Sequence, residues 1–204
     1  MMRSALYEHR STKGSDKVVG GDALEHLVLA TRGRLSAAAL AKVKAAGAPL
    51  EGKVAATYPA AALAQCVRAM AEDLYPSLEP TEAHRRLAHL RVEHVAQSLK
   101  GRVLFALGQL APRERALERF VRAMRDGASY IDARFTVLAP RHYEVWISDV
   151  TGLPGYFWGM LEAGWRHSCR DPEPMSIKAR EGESCTYEVK REVGPSTTGG
   201  PNGL

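Results

Sequence analysis

The side chains with chemistry to offer are few and scattered. His167, Ser168 and Cys169 stand together, and with Cys185 they make a zinc-ligand set if two strands bring them into one place. No Cys-x-x-Cys pair or His-Glu-x-x-His helix accompanies them, so no metal is expected. Three cysteines, counting Cys66, are too few and oddly numbered for a disulfide framework, which leaves reduced thiols as the simplest state. Cys66 falls on the apolar stripe of a helix, where a thiol is inert packing rather than a nucleophile. His84, His89 and His94 recur at a spacing that turns each side chain by roughly 140° on a helix, so they share no face. Glu72, Asp73 and Asp149 are the acids at element ends, and each has a ready surface role. There is no Gly-x-Ser-x-Gly elbow, no phosphate loop ending in Gly-Lys-Ser/Thr and no Gly-x-Gly-x-x-Gly after a strand. The expectation is a protein that binds rather than catalyses.

Charge gives one further surface. Eight arginines and four acids lie between Arg102 and Arg141, and Arg115, Arg119 and Arg122 fall on one side of a helix. They are a candidate anion surface for phosphates or an acidic protein, set against the plainer reading of a solvated helix face. No interleaved aromatic platform of the kind used for single strands accompanies them, and nucleic acid is not an expected partner.

The elements that must position these groups follow from periodicity. Asp22 caps a short helix ending near Gly33, and Ser36 caps a second over Ala37 to Ala46. A third helix from Pro59 to about Leu74 carries Leu63, Cys66, Val67, Met70 and Leu74 at core spacing. The next begins at Thr81 and reaches Lys100, with Leu87, Leu90, His94 and Gln97 along one stripe. Gly101 then bends the chain into Val103–Leu107, an apolar run best buried. Pro112 opens an amphipathic helix carrying Leu117, Phe120, Val121 and Met124. From Tyr130 the period changes to two, giving a hairpin through Ser148, and Gly152-Leu153-Pro154 starts a helix whose Gly155, Gly159 and Gly164 permit close approach. Strands near Met175–Ala179 and Cys185–Val189 complete a second hairpin. A weak strand at Ser4–His9 opens the chain, and the tail from Gly194 to Leu204 lacks core material and is expected to be disordered.

With 204 residues, 45% apolar and 25% charged, the chain has the composition of a globular protein. The formal charge of +5 permits an acidic partner without indicating one. No window is long and apolar enough for a membrane helix, and the first residues lack a signal-peptide stretch, so a cytoplasmic location is expected. The reading is one α+β domain over residues 1–193. Its amino-terminal helical layer, about 22–126, packs on a small antiparallel sheet, about 130–193, made of two hairpins flanking a glycine-bearing helix.

The order of Tyr58-Pro59, Leu74-Tyr75-Pro76, Glu144 to Asp149, Gly152 to Tyr156 and Gly159 to Ala163 resembles a paralogous family of myxobacterial proteins of about this length and of unknown function. A more remote likeness rests on the strand, the Gly-Leu-Pro turn, the glycine-bearing helix and two strands with a cysteine in the last. In this the chain is similar to the ligand-binding superfamily of haem nitric-oxide-binding domains, vinyl-4-reductase-type sensors and TRAPP vesicle-tethering subunits. That resemblance implies a hydrophobic pocket between helices and sheet, and homodimerisation. The haem branch holds its propionates with Tyr-x-Ser-x-Arg on the strand before the turn, where this chain has Trp146, Ser148 and Val150. Only the serine matches and no proximal histidine is identifiable, so no cofactor is expected, haem included. Cys169 and Cys185 echo weakly the clustered cysteines of the sensor branch, which keeps a metal or thiol-sensing role as a minor alternative. Phe105, Phe120, Phe135, Trp146, Tyr156 and Phe157 form the candidate pocket. The expected function is that of a regulatory or sensory domain binding an apolar or amphipathic small molecule or a protein partner. The rival is an interaction or scaffolding domain with no ligand.

Overall fold

A computed structural model describes residues 17–191. The expected strand at Ser4–His9 and the expected tail from Gly194 lie outside the described residues. The elements are β1 (Val18–Gly20), α1 (Gly21–Thr31), α2 (Ala37–Ala45), β2 (Thr57–Pro59), α3 (Ala60–Leu74), α4 (Pro80–Gln97), α5 (Leu99–Leu110), α6 (Arg113–Asp126), β3 (Ala133–Ala139), β4 (His142–Ile147), α7 (Pro154–Ser168), β5 (Met175–Glu181) and β6 (Ser184–Lys190). This is the α+β arrangement expected, a helical layer with two hairpins flanking a glycine-bearing helix.

The hairpins join into one antiparallel sheet of order β3-β4-β6-β5. Its inner face is set by alternation. Tyr143, Val145 and Ile147 of β4 stand opposite Val189, Tyr187 and Cys185 of β6, and all six are buried. Tyr143 meets the Trp165 ring of α7 edge-on at 6.4 Å, and the Tyr187 hydroxyl donates to the Pro154 carbonyl at 2.9 Å, so α7 lies directly on this face. The turn that launches α7 takes Thr151 and Gly152 through positive φ, 51° and 68°, and Asp149 accepts from the Thr151 amide at 2.7 Å.

On its other side α7 rests against α4 at backbone distance. A Cβ on Gly155 would sit 2.0 Å from the Thr81 carbonyl oxygen, and one on Gly159 would sit 2.3 Å from that of Arg85. No side chain fits at either position. Beside this contact the Glu162 carboxylate, 7% exposed, accepts from Arg85 Nε at 2.7 Å and from Arg166 at 2.7 Å, and lies 3.0 Å from His89 Nε2. Burial alone would push this carboxyl up, but the His89 and Arg85 hydrogen bonds and the Arg85 and Arg166 charges outweigh it and hold it at about 2.

Several boundaries differ from the sequence reading. Asp22 lies inside the first turn of α1 and does not cap it, because β1 runs straight into the helix through Gly20. The β1–β2 pair went unforeseen, being only three residues long on each side. The long helix begins at Pro80 and stops at Gln97. Ser98 ends it, donating to the Val95 carbonyl at 2.7 Å and accepting from the Gly101 amide at 3.0 Å, which caps α5. Val103–Leu107 is therefore helical, and its burial is corrected. Gly101, Phe105 and Gly108 share the inward face, while Val103, Leu104 and Leu107 are each more than half exposed. An unbroken apolar run cannot bury all its members once it winds at 3.6 residues per turn.

Two outcomes follow from the α4–α7 contact. Gly159→Ala should lower the urea midpoint by an amount equivalent to ~2 kcal/mol or more, with the slope of the transition unchanged, because the methyl must displace backbone. For Glu162 the folded value lies below the ordinary 4.5, so its stabilisation is present above that pH and is lost as pH falls toward about 2. Glu162→Gln should cost ~3 kcal/mol near neutrality and flatten the acid side of the stability curve. An acid limb as steep in the variant as in the parent would assign the effect to other carboxylates.

Candidate functional site

Where α5 turns away from α4 after Ser98, the helices leave a cavity of about 500 Å³. Its walls come from α1, α4, α5, α6 and α7 with Leu63 of α3, closed at one side by Val19 of β1 and by Tyr130 and Ile131 ahead of the sheet. Phe105, Phe120, Met124, Tyr156, Phe157 and Met160 make its apolar surface. The volume lies within the range of small-molecule sites, which run to roughly 300–1,000 Å³.

Three polar atoms in this wall are unusual in lacking partners. His26 Nδ1, Arg91 Nε and the Tyr156 hydroxyl are buried without a hydrogen bond inside the protein, and all three residues line the cavity. Buried polar atoms are otherwise nearly always paired. Arg91 donates to the Met160 sulfur through Nη1 at 3.0 Å and lies beside the Tyr156 phenol, and no carboxylate pairs with it among the described residues. Burial raises the Tyr156 phenol above its ordinary value, opposed by the neighbouring Arg91 charge. Burial, then the Arg91 and His94 charges, hold His26 below its ordinary value, so the imidazole is neutral at pH 7. Its ring packs beside that of His94 at 5.7 Å. Asp22 and Lys100 also belong to the wall, so the fixed charges there sum to one positive.

Of the six aromatic residues singled out from the sequence, Phe105, Phe120, Tyr156 and Phe157 come together here. Phe135 lies elsewhere, against the Tyr143 ring at 5.6 Å. Trp146 points to the opposite face of β4 from the core, with the Arg134 guanidinium 4.7 Å from its ring. Arg115, Arg119 and Arg122 are exposed on α6 and none lines the cavity. Arg122 has Glu118 at 3.8 Å.

Other chemistry-bearing residues have structural duties. Asp73 accepts from the Ser36 amide and hydroxyl at 2.8 and 2.5 Å, Glu72 pairs with Lys42 at 3.4 Å, and Asp149 pairs with Lys17 at 2.5 Å. His167 contacts Glu93 at 3.0 Å and packs on the Phe105 ring. All three cysteines are buried, and burial pushes the Cys66 thiol up to about 11. Among the described residues no three histidine, cysteine or carboxylate side chains converge as metal ligands, and no helix is long and apolar enough to cross a membrane. Ser148 Oγ accepts from the Asp132 amide at 2.8 Å, Val150 is buried, and neither these two nor Trp146 reaches the cavity.

Sequence reasoning missed His26 and Arg91. The available signal was that Arg91 sits one turn after Leu87 and one turn before Val95, a charge placed within an apolar stripe.

The fold is similar to that of H-NOX proteins at low sequence identity. The F78L variant of Tt H-NOX superimposes with a TM-score of 0.62 at 12% identity, covering 85% of this chain and 95% of that one. The Fe(II) unliganded H-NOX protein from K. algicida gives 0.59 at 11%, covering 86% and 98%. The S. oneidensis H-NOX protein in its Fe(II)NO state gives 0.56 at 12%, covering 84% and 98%. No curated protein matches the sequence. Residues 17–190 match the profile of the DUF2378 proteins of unknown function, and the chain belongs to that family.

Proposed function

We propose that this protein is a sensory domain that holds an apolar or amphipathic small molecule, other than haem, in the cavity between α4, α5 and α7. The observation that carries the reading is the cavity itself, an apolar chamber of about 500 Å³ with His26 Nδ1, Arg91 Nε and the Tyr156 hydroxyl buried and unpaired in its wall. The H-NOX proteins of similar fold support it, and those from K. algicida and S. oneidensis hold Fe(II). Haem is set aside on the residues present. The strand positions expected to hold its propionates carry Trp146, Ser148 and Val150, which do not reach the cavity. The histidine in the wall, His26, stands on α1, and neither α5 nor α6 contains one.

Two measurements test this. Dodecan-1-ol should raise the Tm of the protein and leave Ala123→Trp, which fills the cavity from α6, unmoved. A parent protein indifferent to the alcohol removes the reading. Hemin should give no Soret band that disappears in His26→Ala, and such a band would restore haem as the ligand.

A second reading, an interaction domain, draws on α5, where Leu99 is 79% and Leu110 82% exposed alongside Val103, Leu104 and Leu107. It predicts a dimer in sedimentation velocity that Leu107→Glu converts to monomer. A monomeric parent removes self-association.

A further inference from the structure

Granting the ligand cavity just proposed, we infer that its ligand is a single-chain amphiphile headed by a carboxylate, with the acid group paired to Arg91 and the chain along the aromatic wall. A guanidinium at an apolar wall with no carboxylate partner is a costly arrangement for a protein to keep. Here the hydrogen bond it makes ends on a thioether, a weak acceptor, and the Tyr156 phenol beside it offers only a neutral oxygen. Two further groups converge on the same place. The Tyr156 hydroxyl is a neutral donor with no acceptor, and His26 Nδ1 is unpartnered. A carboxylate offers two acceptor oxygens in the plane that a guanidinium fork matches, and leaves lone pairs for a phenolic donor.

Charge selects among headgroups. Arg91 and Lys100 against Asp22 leave one positive charge in the wall, since His26 is neutral. A carboxylate cancels it, whereas a phosphate monoester of about −2 is left under-compensated in an apolar chamber. An ammonium head meets Arg91 as a like charge. The remaining wall, Phe105, Phe120, Phe157 and Met160 among others, has no further charge to satisfy and suits a hydrocarbon chain.

The test is titration calorimetry on the full chain with dodecanoate, dodecan-1-ol and dodecyltrimethylammonium at pH 8. Dodecanoate should bind about tenfold more tightly than the alcohol, with the ammonium weakest. Arg91→Met should retain the alcohol and lose the preference for the acid, while Arg91→Lys keeps part of it. Lys100→Met, which removes the balancing charge but not the headgroup contact, should reduce the preference only in part. Equal affinity for acid and alcohol in the parent, or a preference that survives Arg91→Met, overturns the headgroup assignment while the cavity reading stands. A preference lost in Lys100→Met moves the acid group away from Arg91 and overturns it as well. Failure of all three probes overturns the cavity reading together with it.

Discussion

Two helix backbones in contact organise this molecule. Gly155 and Gly159 present α7 to α4 with nothing between the chains but main-chain atoms, the nearest being the Thr81 and Arg85 carbonyl oxygens. At that separation a buried carboxylate on one helix is within direct reach of an arginine and a histidine on the other, and Glu162 makes both contacts. The sheet then has only one surface to cover. Its inner row of Tyr143, Val145, Ile147, Cys185, Tyr187 and Val189 packs on the far side of α7, which is why that helix is buried along nearly all its length.

The cavity is the complement of that contact. α4 and α7 are closest near their amino-terminal turns, and Arg91 and Met160 stand further along, where α5 departs through the Ser98 cap. Phe105 of α5 still reaches α7, in a small cluster with Val92 and Ala163 apart from the main core, and Gln109 donates to the His167 carbonyl at 3.0 Å. Each cavity wall therefore belongs to an element fixed elsewhere. The space survives because collapsing it would require α5 to cross its own cap, or α7 to leave the sheet.

Periodicity read well where burial is one-sided. The α3 stripe and the two hairpins were legible because Leu63, Val67 and Met70, or Tyr143, Val145 and Ile147, sit on one face and polar residues on the other. It misled at Val103–Leu107, where hydrophobicity alone suggested burial and winding left four of the five residues exposed, Phe105 alone being buried. The remote resemblance also grouped six aromatic residues as one pocket, yet strand alternation sends Trp146 to the outer face and holds Phe135 at Tyr143. Arg91 was illegible for a different reason. An arginine on a helix is commonplace, and only the absence of a carboxylate partner among the described residues marks this one, which is a property of three dimensions.

The helix–helix contact also distributes freedom to change unequally between its two sides. The atoms that α7 touches at Thr81 and Arg85 are carbonyl oxygens, present whatever side chains those positions carry. Substitution on the α4 side leaves that packing surface almost unaltered, with Ala88 the exception because its methyl lies 2.8 Å from where a Gly159 side chain would begin. On the α7 side neither glycine has a tolerated replacement. Over generations α4 is consequently the helix on which new side chains can be tried toward the cavity, while α7 stays as the fixed rail against which they are tried.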